Sequence, residues 1–323
     1  MSAVGDPRET LVDALCGDVG GAKLALALSS VVPGADLLVV ANNGDDFEHL
    51  GLAISPDLDT IMYTLAGLAD PRRGWGRRDE TWTFMAALAA LGGETWFALG
   101  DGDLAIHVER TRRRAAGEAL SAITADFCRR LKIATRLVPM TDDTVRTRLR
   151  TDMGWLDFQD YFVRRRCAPT VLEVAYDGAA RARAHPDVLA ALRDPRLRAF
   201  VICSSNPFLS TEPILAVGAL REAIAGSAAP VVAVSPIIAG RAVKGPTAKM
   251  MSALGLEVSA RAVARRYRDL LDAYVLDRAD AAAVAELGIP VTLAHTLMTT
   301  LADREELARH VLASADAVAK ATA

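Results

Sequence analysis

Five acidic residues lie within fifteen positions near the start of the chain: Asp45, Asp46, Glu48, Asp57 and Asp59. Carboxylates are costly to bring together unless a cation or a proton separates them. Oxygen ligands of this kind suit a divalent ion, so the cluster predicts a metal site that serves a phosphate or sugar substrate. The alternative interpretation is a solvated acidic loop, in which Asp57 or Ser55 only caps the helix that follows. These residues alone leave both interpretations open.

A glycine-rich segment, residues 17–23, is the second candidate site. It lies between an apolar strand and an apolar helix, and the free N–H groups at the start of a helix attract anions. Gly17, Gly20 and Gly21 would let the backbone approach a phosphate closely, and Lys23 would add a positive charge. The segment matches neither of the common phosphate-loop patterns, so the alternative is that its glycines only form a tight turn.

Two polar loops and one aromatic segment complete the candidate residues. Residues 204–210 and 235–240 each follow an apolar strand, and polar groups at the carboxyl end of a strand are typical of a recognition loop. Residues 70–82 contain two Trp, two Gly and four Arg. Indole rings and guanidinium planes both stack on flat rings, so this segment predicts a lid over an aromatic substrate. An anchored surface loop is the alternative.

The elements that position these residues follow from the apolar pattern. Repeated strand–helix units favour an α/β fold with a doubly wound, mainly parallel, Rossmann-like sheet. Strands are predicted at residues 11–16, 37–40, 133–138, 171–176, 199–203, 231–234, 274–276 and 291–293. The first helix is predicted to begin at Leu24. Residues 11–69 and 163–323 would form a nucleotide-binding core, and residues 70–162 an inserted, mostly helical lobe that covers the site.

Composition narrows the class of protein. The chain has 323 residues, 51% of them hydrophobic, and a formal net charge of −3, which gives no support for nucleic-acid binding. No apolar run reaches the roughly 18 residues of a membrane span, and no secretory leader is visible. The four cysteines have no C-x-x-C spacing. We therefore expect free thiols in a reducing, cytoplasmic compartment.

Taken in order, the motifs resemble those of the 2-phospho-L-lactate transferase family of deazaflavin coenzyme F-420 biosynthesis, over nearly the whole chain. The matching segments are residues 17–28, 42–63, 74–76, 80–81, 99–107, 139–147, 158–163, 205–207, 235–237 and 244–251. The resemblance implies transfer of a phospho-three-carbon-acid group from a guanosine diphosphate-linked donor to the ribityl hydroxyl of the deazaflavin Fo, with release of GMP. It also implies magnesium as the cofactor, small-molecule partners, no nucleic acid or membrane, and a homodimer.

The resemblance further implies roles for single residues. The guanosine diphosphate part of the donor is expected at Gly17, Gly20, Gly21, Lys23, Ser205, Asn206, Pro207, Ser235, Pro236, Lys244 and Gly245. Magnesium is expected at Asp45, Asp46 and Asp57. Fo is expected at Asp59, Thr60, Trp75 and Glu80. Asp57 and Asp59 are the expected catalytic residues, with Asp59 nearest the attacking hydroxyl.

Three positions depart from the family pattern. Asp18 stands where the glycine motif G-G-x-G-G has its second glycine, Gly102 replaces the arginine of L-G-D-R-D, and Asp13 interrupts an apolar strand. Asp18 adds a negative charge where phosphate is expected and Gly102 removes a positive one, so both disfavour an anionic donor. An Fo-binding paralogue with reduced activity therefore stays open as an alternative. A UDP-sugar-binding regulatory protein also stays open, because such proteins have a similar glycine-loop scaffold. The three-carbon acid also stays open among phospholactate, phosphoenolpyruvate and phosphoglycerate.

Overall fold

The computed structural model describes residues 11–243 and 245–322, in which strands and helices alternate. The strands are β1 (Leu11–Cys16), β2 (Leu37–Ala41), β3 (Phe47–His49), β4 (Leu52–Ile54), β5 (Arg136–Pro139), β6 (Arg146–Thr151), β7 (Gly154–Asp157), β8 (Val171–Asp177), β9 (Leu197–Ile202), β10 (Val231–Val234), β11 (Ile237–Ile238), β12 (Arg241–Ala242), β13 (Ala273–Asp277) and β14 (Val291–Ala294). The helices are α1 (Asp18–Val31), α2 (Pro56–Leu65), α3 (Thr83–Ala90), α4 (Asp101–Ala115), α5 (Leu120–Arg130), α6 (Pro186–Ala191), α7 (Glu212–Leu215), α8 (Leu220–Ala225), α9 (Thr247–Ala253), α10 (Ala260–Arg266) and α11 (Leu301–Thr322). Within the described ranges, none of these helices has the length and apolar character needed to cross a membrane.

Seven of the strands form one parallel sheet in the order β14-β13-β10-β9-β1-β2-β5. From β1 the chain moves outward through β2 and β5 on one side, and later through β9, β10, β13 and β14 on the other. The winding direction therefore reverses between β1 and β9. Loops diverge at such a reversal, and ligands of open α/β sheets bind there, beyond the carboxyl ends of the strands. The predicted doubly wound, Rossmann-like sheet is confirmed.

Apolar cores on both faces of the sheet hold the helices in place. Successive strand residues point to opposite faces, so β1 serves both cores. Val12 joins Leu24 of α1 and Val311 of α11 in one core. Leu15 joins Phe200 of β9 in the other. All five side chains are buried, and each contributes about 1.5–3 kcal/mol relative to an exposed position. This packing fixes the switch point between β1 and β9.

Two elements differ from the sequence prediction. Helix α1 begins at Asp18 rather than at Leu24, so the glycines form its first turns instead of a separate loop. Glycine has a weak helix propensity, so the sequence does not indicate that the helix begins here. Contacts with other elements stabilise this first turn. The predicted strand at residues 171–176 is β8, which pairs antiparallel with β6 in a separate sheet of order β7-β6-β8. It is not part of the parallel sheet.

The interval 70–162 is more mixed than a helical lobe. It contains α3, α4 and α5, but β5 pairs with β2 in the main parallel sheet. The strands β6 and β7 belong to the three-stranded sheet. This interval therefore supplies one edge of the core as well as helices outside it. The division into a core and a covering lobe stays a prediction.

Candidate active site

The glycines after β1 bring α1 directly against the loop that follows β9. The Ser205 hydroxyl donates to the carbonyl oxygen of Gly17 at 2.7 Å and accepts from the Gly17 N–H at 3.3 Å. A Cβ on Gly20 would lie 2.5 Å from the carbonyl oxygen of Ser204, and one on Gly21 would run into the Ser205 hydroxyl. Any side chain at these positions would push the two segments apart. The structure thus brings these predicted glycines and Ser205 together.

Asp18 fills the anion position at the start of α1. Its Oδ1 accepts from the N–H groups of Gly20 at 2.6 Å and Gly21 at 3.3 Å, and its Oδ2 accepts from the Asn206 N–H at 3.1 Å. Its φ of 53° lies in the left-handed region, which favours glycine. These three N–H groups are the ones that a bound phosphate would use. The carboxylate of Asp18 and a phosphate would therefore compete for them.

Asn206 and Lys23 flank this position. Asn206 Oδ1 accepts from the N–H groups of the two residues after Pro207 and so caps the turn that follows β9. Asn206 Nδ2 is buried and has no acceptor, which leaves it able to donate to a bound group. The ammonium group of Lys23 donates to the carbonyl oxygen of Met298 at 3.2 Å. The positive charge of Lys23 therefore lies beside Met298, in the segment that precedes α11.

The remaining predicted nucleotide residues lie after β10. The Ser235 hydroxyl donates to the carbonyl oxygen of Ile237 at 2.9 Å and accepts from its N–H at 3.1 Å. This closes a tight turn that contains the half-buried Pro236. Gly245 is exposed and has a φ of 69°. The predicted residue Lys244 lies outside the described residues.

The three predicted metal ligands lie close together behind the loop after β1. Asn42, the first residue after β2, donates through Nδ2 to Asp57 Oδ2 at 2.9 Å and to Asp45 Oδ1 at 3.3 Å. Asp57 Oδ1 accepts from the N–H of Asp18 at 2.8 Å. Asp46 is also buried, and it lies near enough for its charge to raise the pKa of Asp45 and of Asp57. The carboxylates that are spread along the sequence are therefore gathered in space.

Burial changes the protonation of these acids. Loss of hydration raises the pKa of Asp57 and of Asp46 to about 7, and that of Asp45 well above its ordinary range. Asp46 Oδ2 accepts from the Ser55 hydroxyl at 2.8 Å, whereas Asp46 Oδ1 is buried without a partner. A divalent cation would neutralise the group and use that oxygen. The residues therefore fit magnesium, a hard ion that prefers oxygen ligands.

Asp59 faces a different neighbourhood from Asp57, although only one residue separates them on α2. Arg110 binds both carboxylate oxygens of Asp59, and both side chains are buried. His107 Nδ1 lies 3.6 Å from Asp59 Oδ2, and its Nε2 lies 3.2 Å from Asp103 Oδ2. Asp59, Asp103 and His107 are close enough to share an ion. The guanidinium group of Arg110 already neutralises Asp59, however, and so disfavours a cation there.

Trp75 presents an indole ring to solvent. Its side chain is 48% exposed, and its ring lies edge to face against Trp82 with centroids 6.4 Å apart. The Arg73 guanidinium lies 5.4 Å from the Trp75 ring and 4.8 Å from the Trp82 ring. Asp70 fixes that guanidinium by accepting from Arg73 Nε at 2.9 Å. An indole held in this way is able to stack on a flat ligand ring.

Glu80 supports the start of α4. Its carboxylate accepts from the N–H groups of Gly102 at 2.6 Å and Asp103 at 2.9 Å, a favourable place for an acid at a helix N-terminus. Arg77 donates to the carbonyl oxygen of Gly102 at 3.0 Å. An arginine side chain thus lies beside the position where the expected arginine is missing. Thr60 is half-buried, and its carbonyl oxygen is bonded within α2.

Sequence reasoning gave no role to Asn42, Arg110 or His107. Asn42 stands directly after a buried strand, which is itself a signal for a residue at the switch point. Asp103, His107 and Arg110 are spaced by four and three residues on α4, which places them on one helix face. That spacing could have revealed the buried network around Asp59.

Comparison with known proteins identifies the family. A model described as 2-phospho-L-lactate transferase CofD matches residues 12–312. The chain belongs to the CofD family. A phosphoenolpyruvate transferase of Streptomyces coelicolor is 41% identical over 316 residues, which cover 95% of this chain and 98% of that protein. A 2-phospho-L-lactate transferase of Methanosarcina mazei is 37% identical over 299 residues, which cover 92% and 97% of the two chains. This CofD-family chain is thus a phosphotransferase of coenzyme F-420 biosynthesis.

Solved structures agree on the fold. A crystal structure of a UPF0052 family member from Bacillus halodurans matches the CofD-family chain with a TM-score of 0.62, covering 94% of this chain and 99% of that one. The two sequences are 12% identical. At this identity the likeness concerns the architecture alone.

Proposed function

We propose that the protein transfers a phospho-three-carbon-acid group from a guanosine diphosphate-linked donor to the terminal ribityl hydroxyl of Fo, releasing GMP. The observation that carries this proposal is the meeting of the Gly17 segment, the Ser205 loop and the buried carboxylates at one switch point. Phosphoryl transfer to an alcohol needs positioning and charge neutralisation more than covalent chemistry. The names of the relatives favour phosphoenolpyruvate as the acid, with phospholactate second.

The donor would lie across the carboxyl ends of β1, β9 and β10. The backbone N–H groups of Gly20, Gly21 and Asn206 would hold its diphosphate once Asp18 has turned away, since such groups are suited to anions. The side-chain amide Nδ2 of Asn206 is buried and has no acceptor, so it would give the diphosphate a further hydrogen bond. The loops with Ser235, Pro236, Lys244 and Gly245 would receive the guanosine portion.

Magnesium would be held by Asp45, Asp46 and Asp57. When bound, it would neutralise the negative charge that develops on the phosphate oxygens. Two neighbouring side chains position these acids. Asn42 holds Asp45 and Asp57 apart in fixed positions, and Ser55 orients Asp46.

The acceptor would place its ring under Trp75 and its chain toward Asp57. In the reaction, the ribityl oxygen forms a bond to the phosphorus that carries the three-carbon acid. The bond from that phosphorus to the oxygen of GMP breaks, and Asp57 takes the hydroxyl proton. Only the ionised form of this carboxylate is able to accept the proton. Asp59, oriented by Arg110, would act as the second catalytic residue beside the hydroxyl.

The test is mass spectrometry of the product formed from Fo with each guanylylated acid in turn: phosphoenolpyruvate, phospholactate and phosphoglycerate. We expect one acid adduct of Fo and an equal amount of GMP. Absence of an adduct with all three donors would overturn the proposal. The position of Asp18 favours one second candidate, a paralogue that binds Fo without turnover, and Fo binding with no product is its expected result. Cytoplasmic location and a homodimer stay predictions.

A further inference from the structure

Two buried cysteines face each other across the switch point and have no part in the scheme above. In the parallel register, Leu15 of β1 lies opposite Ile202 of β9. Cys16 and Cys203 are therefore the next pair along the two strands, and the Cys203 N–H donates to the carbonyl oxygen of Leu15 at 3.1 Å. Neighbouring strands lie about 4.8 Å apart, which is within the range of about 4.4–6.8 Å found between the Cα atoms of a disulfide.

The two side chains point into the same core and are in contact. Both are 1% exposed, and both belong to the core that contains the buried face of α1. The free thiol of Cys16 donates to Sγ of the free Cys203 at 3.1 Å. A disulfide bond is about 2.05 Å long, so a displacement of about 1 Å would bring the sulfur atoms to bonding distance.

The pair lies at the base of the site proposed for the donor. Cys16 directly precedes Gly17, whose N–H and carbonyl oxygen both bond to the Ser205 hydroxyl. Cys203 lies two residues before Ser205 in the other strand's loop. We call residues 17–21 and 204–206 the donor segments. Both donor segments therefore start from the two cysteines.

We infer that Cys16 and Cys203 are an oxidation site at which a peroxide forms a disulfide that restrains the donor segments. The peroxide oxidises one thiol to a sulfenic acid and releases water. The second thiol attacks that sulfur, the S–S bond forms, and the hydroxyl group leaves with the thiol proton as a second water molecule. The two thiols together lose two electrons, which reduce the O–O bond of the peroxide.

The surroundings of the pair set the rate of this reaction. Loss of hydration raises the pKa of Cys16 well above its ordinary value, and the charges of Asp18 and Asp57 add to the effect. The thiolate is the reactive form, so oxidation should take minutes to hours. Asp18 and Ser204, within two residues of the pair, are half-buried. A local opening of the donor segments would therefore be enough to admit a peroxide.

The disulfide would oppose the movement that donor binding requires, and this part of the inference rests on the proposed function. In that proposal Asp18 turns away from the N–H groups that receive the diphosphate. A bond at Cys16, two residues earlier, limits how far this segment can move from the loop after β9. If the binding-competent arrangement becomes about three- to tenfold rarer, the affinity for GDP falls by the same factor.

The test treats the full chain with hydrogen peroxide and maps its disulfides by mass spectrometry of a non-reduced digest. We expect two peptides joined through Cys16 and Cys203. In calorimetry the oxidised protein should bind GDP about three- to tenfold more weakly than the reduced protein, and dithiothreitol should restore the affinity. Cys16→Ala and Cys203→Ala should each keep the affinity of the reduced protein after the same treatment. Cys128→Ala is the matched control, because Cys128 is also a buried thiol but lies on α5, and it should respond like the wild type.

The outcomes separate this inference from the proposed function. Failure to find the Cys16–Cys203 peptide pair after treatment would overturn the oxidation site. A disulfide that leaves GDP affinity unchanged, or an equal loss of affinity in Cys16→Ala, would overturn the restraint. Failure of the reduced wild-type protein to bind GDP would instead contradict the proposed function, and the peptide map would still decide whether the disulfide forms. Either alanine variant suffices where the other fails to fold, and melting temperatures check this.

Discussion

The backbone N–H of Asn206 donates a hydrogen bond to Oδ2 of Asp18 at 3.1 Å. This contact joins the loop after β9 to the first turn of α1, at the point proposed for the diphosphate. A residue of the chain itself supplies a negative charge there. Because Asp18 also has a left-handed φ, a glycine would fit the backbone with less strain.

Asp18→Gly should therefore tighten GDP binding by roughly three- to thirtyfold. Two unit charges about 4 Å apart at an effective dielectric near 20 repel by on the order of 4 kcal/mol, and solvent around the half-buried Asp18 reduces this strongly. The gain should be larger at low salt. Calorimetric titration with GDP at two ionic strengths measures it, and Asp18→Asn, which keeps the shape without the charge, is the control. Unchanged or weaker binding by Asp18→Gly would show that Asp18 does not oppose the donor.

Introducing the family's arginine at position 102 is not expected to strengthen GDP binding. A Cβ on Gly102 would lie 3.0 Å from Glu80 Oε1 and 3.2 Å from Arg77 Cζ, so Gly102→Arg crowds the contacts that hold the start of α4. We expect a lower melting temperature and no further gain in GDP affinity when it is added to Asp18→Gly. Additive tightening in the double variant, measured by the same titration, would contradict this.

Transfer activity should require magnesium, and magnesium affinity should rise with pH. Burial raises the pKa of Asp46 and Asp57 to about 7, so below that pH the ion must displace protons from its ligands. Affinity should increase by up to about tenfold per pH unit for each proton displaced between pH 5 and pH 7. Magnesium titrations across this range give the profile. Full activity in excess chelator would remove the metal from the proposal.

Asp57→Asn and Asp59→Asn should differ in their effect on stability. Both should lower the transfer rate by at least about a hundredfold, as expected when a positioning or charge-stabilising group is lost. Only Asp59→Asn removes the partner of the buried Arg110, and an unpaired buried charge costs about 3–5 kcal/mol. Denaturant unfolding should show this loss, and Arg110→Met in the Asp59→Asn background should recover most of it. Equal stability of both variants would mean that the Arg110–Asp59 pair is not important for the fold.

The parts of the site that the sequence could predict depend on local pattern. The strand before Gly17 and the carboxylates after β2 could be read from the sequence because apolar runs and residue types mark them directly. The contact of Asn206 with Asp18 and the pairing of Asp59 with Arg110 join residues 188 and 51 positions apart. No local pattern encodes such contacts; they arise from the order of strands in the sheet. For the same reason Asp57 and Asp59 looked equivalent in sequence but face different surroundings.

Trp75→Ala should weaken Fo binding by roughly 1–3 kcal/mol, the range for bases stacked on aromatic side chains. Trp75 is exposed and held by Arg73, so its loss removes a stacking surface without opening a core. Affinity for GDP should barely change. Calorimetry with both ligands is the measurement, and Leu91→Ala, an exposed apolar residue just after α3, is the control. Equal weakening of both ligands would show that the segment is a structural support.

Asp13 should make the protein less stable as pH rises from 4 to 7. It is 1% exposed in the central strand β1, its Oδ2 has no partner, and burial raises its pKa from 3.8 to about 7. In this range the unfolded chain loses the proton while the folded chain keeps it, so the stability contribution present below pH 4 is lost by about pH 7. A difference of about 3 pH units, at about 1.4 kcal/mol each, corresponds to about 4 kcal/mol as an upper value. Asp13→Asn removes this titration but keeps the side-chain shape. The free energy of unfolding of Asp13→Asn, relative to that of the wild type, should therefore increase steadily between pH 4 and pH 7 and stay constant above pH 7. A difference that does not depend on pH would show that Asp13 is ionised in the folded protein.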